Sequence, residues 1–157
     1  MNLFKNHIFS QSDTFRNCDA PLQISGTAAE EISGGSSSSE EVSWIFSVTI
    51  KEGEAANLKK LVNEISKSSK ANEPNTLSYH WYISEDHMRG EVHEHYGNSE
   101  AALEHLSTFN AEYADRIMTM IKPEGMIVFG NPSNVLRQEL AGANPVFMRS
   151  VAGFSRI

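Results

Sequence analysis

A chain of 157 residues is expected to form one domain with a core large enough to fold alone. Its net charge of −7 speaks against nucleic acid or an anionic membrane as the main partner, because both need a basic face. No apolar run reaches the roughly 20 residues of a membrane helix, and the single cysteine, Cys18, has no partner for an internal disulfide; a reducing, cytoplasmic setting is the expectation.

Residues 1–41 show no strong period and end in "SGGSSSSEE", a Ser/Gly run with the composition of a linker. They are expected to be a flexible N-terminal extension, with residues 42–157 as the domain. "VSWIFSVTI", 42–50, is rich in β-branched and aromatic residues and predicts a strand, broken by Gly53. Leu58, Leu61, Val62 and Ile65 recur at helical spacing, which predicts an amphipathic helix over about 54–70, stopped by "EPN" at 73–75. "TLSYHWYIS", 76–84, and "EVHEHY", 91–96, are the next two strands. The link between them is too short for a crossover, so they form an antiparallel hairpin. Asn98 caps a second helix, with Glu100 in its favourable first turn. Ala102, Leu106, Phe109, Tyr113 and Ile117 mark one face of that helix to about residue 121, with a break near Asn110. "KPEG" at 122–125 ends it, and "MIVFG", 126–130, is a fourth strand. Pro132 opens a short helix carrying Val135, Leu136 and Leu140 and ended by Gly142. "PVFMRSVAGF", 145–154, reads as a final extended arm or edge strand.

Strand, helix, strand, strand, helix, strand is the ferredoxin-like split βαβ order, an α+β fold with helices on one face of an antiparallel sheet. The first strand places Trp44, Phe46, Val48 and Ile50 on one face. The second carries bulk on both, with Tyr79, Trp81 and Ile83 on one side and His80 and Tyr82 on the other. A sheet loaded on both faces predicts a homodimer, the open face packing on a second copy.

The chemistry gathers in "RGEVHEHYGNSEAALEHLSTF", 89–109. Alternation along the strand puts His93 and His95 on one face and Val92, Glu94 and Tyr96 on the other. One reading is metal: His93, His95 and Glu100 have the His-x-His-x4-Glu spacing of cupin sites, without the glycines of that motif and with Glu100 at a helix start. Another is acid–base work, with a histidine as proton carrier and Glu94 as its orienting partner or as the base. A third is purely structural, since half-exposed histidines and aromatics are ordinary on strands. Trp44, Tyr79, Trp81, Tyr82, Tyr96, Phe109 and Tyr113 suit a pocket for a planar ligand, or a core. A glycine-rich phosphate loop, a dinucleotide fingerprint and a nucleophile elbow are all missing from the sequence.

Residues 42–154 resemble the antibiotic biosynthesis monooxygenase domain. The resemblance rests on Glu73-Pro74 (with Asn75 in place of a glycine), Ser78-Tyr79, Glu94-His95-Tyr96, Ser99-Glu100-Ala101-Ala102-Leu103 and His105-Leu106. It implies a dimeric α+β barrel with a pocket between sheet and helices, and a quinol-monooxygenase-like activity. That activity uses no metal and no cofactor, and oxidises a small quinol- or anthrone-like aromatic with dioxygen. It also implies that Tyr96 and His105 face the pocket with Glu94. His105 is then the expected base or substrate anchor and His93 the alternative base, with Tyr79, Trp81, Tyr96, Phe109 and Trp44 lining the substrate. The family also contains haem-degrading enzymes, from which this chain departs at Tyr96 and near Ser47, and isomerases and members that only bind small molecules.

Overall fold

Strand β1 (Val42–Ile50) is the middle of the structure, a computed structural model that describes residues 40–154. Its alternate residues Val42, Trp44, Val48 and Ile50 are buried, as period-2 patterning requires of a strand with one face on a core. The expected extension over residues 1–41 lies, apart from Glu40 and Glu41, outside the described residues. After β1 come α1 (Ala55–Asn72), β2 (Thr76–Ile83), β3 (Arg89–Tyr96), α2 (Ser99–Glu112), α3 (Ala114–Met118), β4 (Ile121–Gly130), α4 (Asn134–Leu140) and β5 (Val146–Met148). The five strands form one sheet in the order β2-β3-β1-β4-β5. Every pairing is antiparallel except that of β4 with β5. This is the α+β, ferredoxin-like arrangement that the element order predicts, with one short parallel strand added at an edge.

Register fixes what faces the helices. Trp44 lies opposite Glu94 on one side and Val128 on the other, and Tyr79 also lies opposite Glu94. Trp44, Phe46, Tyr79, Trp81, Val92, Glu94, Tyr96, Met126 and Val128 therefore share the inner face. The core beneath the helices divides into two groups. One gathers Val42, Trp44, Tyr96, Ala102, Leu106, Val128 and the α4 leucines Leu136 and Leu140. The other gathers Val48, Ile50, Leu58, Leu61, Ile65, Tyr113, Ile117 and Ile121. Phe46 packs against both.

Two boundaries differ from the sequence expectation. The second helix breaks at Tyr113 rather than near Asn110, where φ −122° and ψ −28° leave the helical range and α3 starts anew. "KPEG" does not end a helix; it lies inside β4. Val48 pairs with Pro123 and Ser47 with Gly125, so Glu124 is the extra residue of a bulge. A bulge is where a strand tolerates a proline, and the Thr49 hydroxyl fastens it by donating to Glu124 at 2.9 Å. Gly130 ends β4 at φ +99°, and a Cβ there would stand 2.6 Å from the Glu41 carbonyl, so only glycine fits. Among the described residues no helix is long and apolar enough to cross a membrane.

Candidate active site

Helix α2 starts cleanly because the Asn98 side chain accepts the Ala101 N–H at 2.9 Å, satisfying one of the free donors of its first turn. Its buried face is Ala101, Ala102, His105 and Leu106, the two alanines letting the helix lie close on the sheet. This delivers His105 to the interior with 2% of its surface exposed. A buried imidazole needs partners for both nitrogens. Nδ1 lies 2.8 Å from Oε2 of Glu73, and Nε2 lies 3.4 Å from Oε2 of Glu94.

Glu73 follows the last turn of α1, where its backbone N–H bonds to the Ser69 carbonyl, and its side chain turns inward and is itself buried. The Thr76 hydroxyl donates to the same carboxylate at 2.8 Å. Glu94 comes from the inner face of β3 and accepts a hydrogen bond from the Tyr96 hydroxyl. Tyr96 is fully buried and packs on Trp44 at 4.7 Å between ring centroids. The result is a continuous polar chain through an apolar core, Thr76–Glu73–His105–Glu94–Tyr96.

The charges reinforce one another. Burial opposes a charge on His105, but the hydrogen bond it donates to Glu73 and the negative charges of Glu94 and Glu73 outweigh it, so the imidazole sits above its ordinary pKa. Burial likewise opposes ionisation of Glu73, yet its bond and attraction to His105 and its bonds from Thr76 and Ser69 hold it below the usual carboxylate range. Burial first, then the charge of Glu94, push the Tyr79 and Tyr96 hydroxyls up, so both stay protonated.

His105 and Glu94 open on a cavity of about 50 Å³ lined by Trp44, Phe46, Tyr79, Trp81, Phe109, Met126 and other apolar side chains. The Tyr79 and Phe109 rings lie 5.4 and 6.3 Å from that of His105. Of the expected site residues, His105, Glu94, Tyr79, Trp81, Phe109 and Trp44 thus meet at one cavity. Tyr96 stands behind Glu94 rather than on the cavity wall. His93 is on the opposite face of the sheet, its ring 4.9 Å from that of Tyr82, and His95 beside it pairs with Glu41 at 2.9 Å. Glu100 is exposed on α2, away from both. Among the described residues no three His, Cys, Asp or Glu side chains are arranged to hold a metal ion. Glu73 has the closest contact to His105 and was not a sequence candidate. It stands 32 positions from its partner, and only the tertiary fold joins them.

The α+β sheet and the helices on its inner face thus enclose a histidine between two carboxylates. Residues 42–115 match the family model described as Antibiotic biosynthesis monooxygenase. The fold is similar to that of MupZ from Pseudomonas fluorescens, with TM-score 0.66 and 20% identity over 86% of this chain and 96% of that one. It is also similar to a Nitrosomonas europaea protein assigned by name to antibiotic biosynthesis monooxygenases, with TM-score 0.53 and 17% identity over 59% of this chain and 91% of that one. A conserved Methanosarcina mazei protein shares the fold at TM-score 0.52 and 10% identity, over 60% of this chain and 95% of that one. No curated protein matches the chain in sequence.

Proposed function

We propose that this protein is a cytoplasmic, homodimeric monooxygenase that oxidises a small electron-rich aromatic, a quinol or an anthrone, with dioxygen and without a cofactor. The observation that carries the reading is a buried acid–base group, His105 between Glu73 and Glu94, opening on an aromatic-lined apolar cavity. An electron-rich phenol or enol must lose its proton before it can pass an electron to dioxygen. His105 in its neutral form, with Glu94 beside it, takes that proton, and Glu73 holds the imidazole in place and offsets the charge it gains. The apolar walls exclude water from the anion and from the radical pair that follows. Recombination of substrate radical and superoxide forms a carbon–oxygen bond. Loss of water from the resulting hydroperoxide leaves a carbonyl, so a CH₂ carbon and O₂ become C=O and H₂O. Tyr79, kept protonated and on the cavity wall, is a hydrogen-bond donor for this chemistry.

Oxygen uptake with a panel of hydroquinones and anthrones, on chelator-treated protein, tests the reading. Uptake is expected to survive chelation and to fall about 100-fold or more in His105→Gln, as loss of a general base usually demands. Absence of uptake across the panel would refute the oxygenase. The same acid–base group also suits an isomerase, because it moves protons without oxygen. Enzyme-dependent exchange of solvent deuterium into an anthrone, with no uptake, would identify that activity instead.

A further inference from the structure

The cavity at His105 is too small for the substrate proposed above. At about 50 Å³ it has room for a few waters or one dioxygen, whereas a cavity of about 150 Å³ is needed to accept even benzene. A groove of about 510 Å³ lies on the other side of its wall, along the free edge of β2 and beneath α1. That volume is in the range of small-molecule sites, which run from about 300 to 1,000 Å³. Lys59, Asn63 and Ser66 of α1, with Ser84, Glu85 and His87 of the β2–β3 turn, give the groove hydrogen-bonding sides, and Val62 and Ile83 give it apolar ground.

Two residues belong to both spaces, Tyr79 and Trp81. The Trp81 indole N–H donates to the Tyr79 hydroxyl at 2.8 Å, so the pair is latched. Both side chains are only half buried. Trp81 rests on Gly90, where a Cβ would stand 3.6 Å from the ring and 3.0 Å from Val48. The site on the far side of this wall is the one described above.

Resting on that reading of the site, we propose that the Tyr79–Trp81 pair is a gate and the outer groove a second binding subsite. The ligand class is an elongated aromatic with oxygen substituents at both ends. Swinging the two rings aside joins the cavity to the groove and vacates their own volume, so that one ring end reaches His105 while the distal hydroxyl or carbonyl stays in the groove against Lys59 and Asn63.

Stopped-flow fluorescence with 2-naphthol and 2,6-dihydroxynaphthalene tests both halves. Trp44 lines the inner cavity and remains as reporter when Trp81 is replaced. Trp81→Phe and Tyr79→Phe each remove one end of the latch and keep an aromatic ring. Each is expected to raise the association rate of 2-naphthol about fivefold, the scale of one hydrogen bond, and the double variant is expected to add nothing further. Additive changes, or unchanged association rates, overturn the gate. 2,6-Dihydroxynaphthalene is expected to bind about fivefold tighter than 2-naphthol, with the difference lost in Asn63→Ala. Equal affinities, or no binding of either probe, overturn the subsite. Because the readout is binding, latch behaviour with no oxygen uptake would leave the gate standing and refute only the oxygenase.

Discussion

His105 is buried yet held above its ordinary pKa, and this ties stability to pH in a defined direction. A histidine with a raised native pKa stabilises the fold fully below its unfolded value of about 6.5, and that contribution is lost as pH rises through the higher native value. Glu73 works in the opposite sense: its contribution is present above the ordinary glutamate value of 4.5 and is lost as pH falls through its lower native value. Urea midpoints for the wild type are therefore expected to decline above pH 6.5 and again in acid. Glu73→Gln is expected to flatten the alkaline limb and to cost about 1–3 kcal/mol near pH 6, the range for a buried bond to a charged partner. An alkaline limb unchanged in Glu73→Gln would show that another group sets it. Glu94 was readable as a site candidate from its place among the histidines. Glu73 was readable only as a turn, because nothing local in the sequence records where its side chain goes.

Among the elements, periodicity located the strands and helices on which the site is built, and strand alternation separated Glu94 from His93. Tyr113 shows where such reading stops. It continues the apolar stripe of α2, but packing in the second core group decides its backbone, and the helix breaks there. The β4 bulge was equally hidden, since "KPEG" has the composition of a loop and becomes strand only because β1 lies beside it to absorb the extra residue. The start of α2 was legible in full. Asn98→Ala removes the bond to the Ala101 N–H, and the expected loss is about 1 kcal/mol. It should appear as a lower denaturant midpoint with an unchanged slope; a changed slope would place the effect in the unfolded state instead.

At the scale of the whole molecule, the open face of the sheet is the unfinished surface. By register, Ile45, Ile127 and Phe129 share it with Tyr82 and His93, and the first three are only half buried. Val146 and Met148 of β5 extend it, each about half exposed, at 55% and 45%. We expect a second copy to cover this face. Sedimentation should then give about twice the 17.4 kDa chain mass, and Ile45→Lys, which places a charge at the centre of the face, should return the monomer. A wild-type monomer would refute the dimer and leave the face for another partner.

The division of the core into two groups joined through Phe46 has a thermodynamic consequence. The cavity lies along that division: Trp44, Leu106 and Met126 reach it from one group, and Ile117, Ile121 and Phe109 from the other. Where packing is thinnest, the two halves of a protein open with some independence, each with its own local unfolding free energy. A ring seated between them would touch both at once and make their openings concerted. Occupancy would then be felt in the backbone amides of α4 as well as in those of α1, which lines the groove.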